Sequence, residues 1–192
     1  ATSLVDSTLE QHISLLNTMK DVSGVRSDRL QAAHTVRYCD LSLVGEPLLY
    51  PQINAFIASM HMRNVCTWMY HTGMHPKELE QLQTTTQLVM TVAGPTQQLM
   101  EELVQSVFED CWERFQQSLL LMAKKPQRTS LRIVLIRGLT DSHFQEYADI
   151  INKSKPDFIE CKGLIFCGKT ELLTLDDSVP SQKEIIDFCT KL

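Results

Sequence analysis

Short apolar runs with β-branched residues alternate with amphipathic stretches about five times along these 192 residues, and that rhythm constrains the fold more than any motif does. Residues 35–43, 64–70, 87–92 and 130–136 read as strands, and 157–161 with 164–167 read as a last strand bent at Gly163. The first alternates and then runs apolar, which predicts a buried strand of a parallel sheet. Helices fall between them. Leu9, Ile13, Leu16 and Met19 share one face of a helix over 6–20, and further helices are expected over 52–62, from Pro76, and over 97–104, 108–124, 141–153 and 181–191. Residues 22–34 are polar, contain Gly24 and read as a connection. Such spacings suit right-handed βαβ units. The expected architecture is an α/β fold, a parallel sheet forming a partial (β/α) barrel, in a single domain spanning 1–192.

A 43% hydrophobic content is enough for a full core. The net charge of -5 and a pI near 5.7 exclude a broadly basic nucleic-acid binder, so any RNA contact is expected to be local or shared with other chains. Six scattered cysteines, most inside apolar runs, predict reduced core thiols and a reducing intracellular compartment. No run is long enough for a membrane span and no secretory signal is visible, so membrane insertion is not expected. The first residue is Ala1 rather than Met, which raises the expectation of an N-terminal piece removed or left out, a mitochondrial or other organellar leader among the readings, with the cytoplasm as the alternative.

Ligands of α/β sheets sit at the C-terminal ends of the strands. That rule nominates Gly45 and Glu46, residues 71–73, residues 93–96, Arg137, and residues 160–162. Glu46 either binds an amine or caps the following helical turn. Lys162 is a Schiff-base or anion-binding lysine if desolvated, or a salt-bridge partner of Glu160 or Glu46. His71 and His75 have a His-x3-His spacing, but they straddle a glycine ahead of Pro76 instead of sharing a helix, so metal binding is not expected. Cys161 and Cys167 flank the bent strand, with no reason in the sequence to meet Cys189.

Several strings carry a family resemblance. LSLVGEPLLYPQINAF at 41–56, FEDCWERFQQSL at 108–119, QRTSLRIVLIR at 127–137 and PDFIECKGLIFCG at 156–168 resemble the radical SAM domain of tRNA 4-demethylwyosine synthases, in the same order. The resemblance implies a partial β/α barrel that binds S-adenosylmethionine on a 4Fe-4S cluster and condenses pyruvate with N1-methylguanosine in phenylalanine tRNA. It also implies that the first barrel strand and the Cys-x3-Cys-x2-Cys cluster loop lie upstream of Ala1. Gly45 and Glu46 match the motif that receives the methionine amino group.

Other positions depart from the family. Its Thr-Asn-Ala reads His71-Thr72-Gly73, its Ser-Val-Asp-Ala reads Thr91-Val92-Ala93-Gly94, and two lysines are replaced by Glu101 and Glu102. A lysine at the fourth strand end is replaced by Arg137, while Glu160 and Lys162 are kept. Buried polar constellations act as units, so such losses cost rate steeply. The resulting expectation is a pseudoenzyme without cofactor or metal, with a vestigial cofactor cleft at Gly45, Glu46, Thr72 and Ala93 and a vestigial substrate side at Arg137, Glu160 and Lys162. Its role would be that of a structural or binding subunit in an RNA-associated assembly, a tRNA-modification complex or a mitochondrial ribosome. Protein neighbours would cover the open barrel edge, and tRNA or rRNA would lie nearby. The competing expectation is the C-terminal part of an active synthase, and a third is S-adenosylmethionine kept as a structural ligand.

Overall fold

The computed structural model describes residues 1–42, 44–168, 170 and 173–192. Two helices open it, α1 (Thr2–Thr18) and α2 (Ser27–Ala33). They are followed by β1 (Tyr38–Leu41), a 3-10 turn (Pro47–Leu49), α3 (Ile53–Met62), β2 (Cys66–His71), α4 (Pro76–Gln81) and β3 (Gln87–Val92). The chain continues through α5 (Gln97–Val104), α6 (Cys111–Met122), β4 (Arg128–Leu135), α7 (Phe144–Ser154), β5 (Phe158–Gly163), α8 (Leu175–Ser178) and α9 (Gln182–Lys191).

Among the described residues the sheet has five strands, all parallel, in the order β1-β2-β3-β4-β5. Sequential order has a consequence: right-handed crossovers then deliver every connecting helix to the same side of the sheet. The core lies on that side, where Met69, Leu88, Met90, Leu131 and Ile133 meet Ile57, Leu79, Phe115, Leu119 and Tyr147 from the helices. The alternate residues of each strand face the other way. Register aligns Asp40, Trp68, Gln87 and Arg128 across one row of that second face, and Thr91, Arg132 and Glu160 across another. Only Val89 and Ser130, mid-sheet, are buried among these residues; the others are half-buried or exposed. The sheet therefore has one covered face and one open, largely polar face.

Local chemistry sets the element ends. Thr96 caps α5 by accepting from Leu99 N–H at 3.3 Å, and Ser181 with Glu184 forms a reciprocal capping box on α9. Gly94 is fixed by packing, since a Cβ there would lie 2.6 Å from Met100 N.

Several expectations need correction. The strand expected over 35–43 is confined to Tyr38–Leu41, with Leu43 outside the described residues. It is a half-exposed edge strand rather than a buried one, because among the described residues β2 is its only partner; Tyr38 is 69% exposed. The last strand ends at Gly163 and does not resume over 164–167. There Pro180 and Ile185 pack within 3.2 Å of where a Cβ would sit, and the chain leaves the sheet. The helix expected over 108–124 begins only at Cys111, after the left-handed Gln105 and a Ser106–Phe108 turn. The one expected over 141–153 begins at Phe144, after a turn in which Gly138 N–H donates to Asp141. Cysteines are less buried than expected: Cys111 alone is core, Cys39, Cys66 and Cys161 are half-buried, and Cys167 and Cys189 are exposed. Cys39 and Cys161 lie on the edge strands, which leaves those two thiols partly uncovered. Among the described residues no helix is long and apolar enough to cross a membrane.

Candidate functional site

The loop after β1 brings Gly45 and Glu46 beside the end of β2. Gly45 holds φ +74°, a left-handed turn that orients Glu46 toward Thr72. Glu46 Oε2 accepts from Thr72 N–H at 3.0 Å and Thr72 Oγ1–H at 2.9 Å, while Oε1 accepts from Leu48 N–H at 3.4 Å. Both readings of Glu46 thus start from one geometry: it caps the 3-10 turn and also ties two strand ends together. Ala93, half-buried at the end of β3, adds a methyl group and no polar atom.

The open face carries a second array. Arg132 Nε donates to Glu160 Oε2 at 2.9 Å, and its guanidinium lies 4.0 Å from the centre of the Tyr70 ring. Burial raises the Tyr70 pKa and the Arg132 charge opposes the rise. Lys162 is half-buried two residues beyond Glu160, level with Val134 on the neighbouring strand. Among the described residues no carboxylate lies within ion-pair distance of it. The expected salt bridge to Glu160 or Glu46 is therefore not formed; Glu160 pairs with Arg132 instead.

Arg137 points elsewhere. Its guanidinium makes two hydrogen bonds to Glu184 on α9, at 2.9 and 2.8 Å, and a third to Asp176 O at 2.8 Å. The Arg137 partner, followed by Ser181, lowers the Glu184 pKa to about 2. Arg137 is thus a clamp on the closing helix, not a neighbour of Glu160 and Lys162. His71 and His75 also diverge. His71 is 2% exposed, its Nδ1 accepts from Gly73 N–H at 3.2 Å, and its Nε2 has no partner. His75 is edge-on to Phe108 and 4.0 Å from Glu78. No group of three or more His, Cys, Asp or Glu side chains among the described residues is arranged to hold a metal ion, so these residues do not fit an iron–sulfur cluster. Gly45, Glu46 and Thr72 do fit an ammonium group, since they present an oriented carboxylate beside open space.

Sequence reasoning missed Tyr70, Arg132 and Asp40, which register brings to the open face. A usable signal was present, because a cation inside the apolar run LRIVLI has to face away from the core.

A family model for wyosine base formation matches residues 153–192. The S-adenosyl-L-methionine-dependent tRNA 4-demethylwyosine synthase TYW1 of Danio rerio is 34% identical over 193 residues, covering 100% of this chain and 26% of that protein. The synthase of Schizosaccharomyces pombe is 37% identical over 185 residues, covering 96% of this chain and 27% of that protein. The chain spans about a quarter of the length of the curated relatives it matches. In fold it is similar to a solved TYW1 with a lysine-pyruvate adduct bound, with a TM-score of 0.88 and 21% identity over 100% of this chain and 62% of that one. A radical SAM methyltransferase from Sphaerobacter thermophilus is more distant, with a TM-score of 0.56 and 17% identity over 85% of this chain and 50% of that one. These likenesses agree with the sequential parallel sheet and its one-sided helices. From sequence and fold together, the chain is a partial homologue of the tRNA 4-demethylwyosine synthases, with a five-stranded parallel α/β fold consistent with a partial β/α barrel.

Proposed function

We propose that the chain forms the substrate-facing part of a wyosine-base-forming site within a longer protein, with Lys162 as the amine that meets a keto acid. The observation that carries this reading is the position of Lys162. It is half-buried on the open polar face, beside an arginine already neutralised by Glu160, with no carboxylate of its own among the described residues. The Lys162 amine there attacks the keto carbon of pyruvate, and loss of water gives an imine, as the lysine-pyruvate adduct of the solved relative suggests. The Arg132 amino groups not bonded to Glu160 complement the carboxylate of such a substrate. Glu46, oriented by Thr72, receives the ammonium group of S-adenosylmethionine, which when bound supplies the radical that starts the chemistry. No step is assigned to a metal held by this chain.

The test uses the full-length protein with S-adenosylmethionine, reductant, pyruvate and tRNA bearing N1-methylguanosine, and mass spectrometry of the modified base. Borohydride reduction with pyruvate is expected to add one reduced pyruvate to Lys162. Lys162→Arg keeps the cation, and is expected to abolish both the adduct and the product. Product formation that survives Lys162→Arg would overturn the assignment.

A second reading is favoured by the way the other polar groups satisfy each other. Arg137 is held by Glu184, Glu160 is held by Arg132, and Ala93 offers no polar atom. On that reading the chain is a non-catalytic subunit of an RNA-associated assembly, such as a tRNA-modification complex or an organellar ribosome. A neighbouring segment then covers β1, where a cavity of about 380 Å3 is lined by Leu4, Cys39, Leu41, Val44 and Phe56. Absence of iron, product and adduct in the full-length protein, with amides of β1 protected from exchange only inside the assembly, is its expected signature.

A further inference from the structure

Two cysteines unused by either reading lie together on the far side of β5. Cys161 faces the helices, half-buried and packed against the main core. Cys189, near the end of α9, is exposed. Helix α9 packs along β5. Both cysteines line one cavity of about 440 Å3, together with Ala148, Ile151, Ile159 and Leu192. Burial and then the nearby Cys189 thiol push the Cys161 pKa up to about 12.

We propose that Cys161 and Cys189 form a reversible disulfide site, oxidised by low-molecular-weight disulfides, that fastens the closing helix α9 to the edge strand β5. The unequal exposure sets the order of events. The Cys189 thiolate attacks one sulfur of a glutathione-type disulfide; that S–S bond breaks and one small thiolate leaves. The Cys161 thiol gives up its proton, its sulfur attacks Sγ of Cys189, and the second small thiol is expelled. Two protein thiols are oxidised by two electrons, and the small disulfide is reduced to two thiols. The high pKa of Cys161 makes this second step the slow one. The bond lies between Glu160 and Lys162 along β5, and α9 also carries Glu184, the partner of Arg137. Oxidation therefore acts on the segment that presents Lys162, whether or not the chain is catalytic.

The full-length protein is treated with oxidised glutathione under native conditions, alkylated, and digested without reduction. Two fewer thiols are expected to alkylate, a peptide pair joining Cys161 to Cys189 is expected, and the oxidised form is expected to melt at a higher temperature. Reduced glutathione reverses all three changes. Cys189→Ser abolishes the linked peptides; Cys167→Ser leaves them unchanged. A glutathione adduct that persists on Cys189 while Cys161 still alkylates would overturn the proposal, as would a bond from Cys189 to Cys167. If Cys189→Ser fails to fold, the unmodified protein and Cys167→Ser decide between these outcomes.

Discussion

His71 has neutral imidazole buried beneath the strand ends, and that makes it an acid sensor of the fold. Burial is the largest cause that lowers its pKa from 6.5 to about 3, with the Lys125 and His75 charges adding to it. Between those values the unfolded chain holds one more proton than the folded one, so stability falls as pH drops from about 6.5 toward 3. The contribution of this residue approaches ~1.4 kcal/mol per pH unit in that window. His71→Asn keeps an acceptor for Gly73 N–H and is expected to flatten the slope; urea denaturation at about pH 7 and about pH 5 measures it. Tyr147 offers a contrast. Its fully buried hydroxyl abuts Thr140, whose own hydroxyl is already engaged by Ile136 N–H at 2.8 Å. Tyr147→Phe should therefore change the unfolding free energy read from urea denaturation by less than about 1 kcal/mol, whereas Tyr147→Ala opens a cavity and costs about 3–5 kcal/mol.

At the scale of elements, the closing helix is fixed by its first turn. Ser181 and Glu184 cap each other's backbone groups, and Glu184 also clamps Arg137. Ser181→Ala removes one side of the box and should cost about 1 kcal/mol in thermal or urea unfolding. Gly94→Ala is expected to cost more, about 1–3 kcal/mol, because the atoms it meets belong to the α5 backbone and cannot turn aside. Elements were also where the sequence was most legible. Each of the five strands has its own apolar run, and the helices after β2 and β3 follow recognisable starts at Pro76 and Thr96. What a run cannot encode is how many neighbours its strand has. The Thr35–Val36 start reads as buried, yet β1 is an edge, and the apolar run after Gly163 leaves the sheet because α9 occupies the space beside it. The site was legible to a similar degree. Strand-end position found Glu46 and Thr72, which do meet, but it could not separate Arg137, turned toward α9, from Lys162, which faces the open side. Tyr70 and Arg132 depended on register between strands far apart in sequence.

For the whole molecule, one face of the sheet carries the hydrophobic core and the other carries Asp40, Trp68, Tyr70, Arg132, Glu160 and Lys162. Parallel sheets are ordinarily covered on both faces, so an uncovered one is stable in water only while it stays polar. The sequential strand order has a further bearing on how the chain folds. Every strand pairs with its predecessor in sequence, yet each pairing closes a loop around at least one helix, as between Trp68 and Gln87 or between Gln87 and Arg128, so no sheet contact is local and each costs chain entropy to close. Opening from the edges inward follows, with β2, β3 and β4, each flanked on both sides, carrying the slowest-exchanging amides and β1 and β5 the first to open. A chain assembled this way frays from its ends one βα unit at a time, and leaves its middle standing.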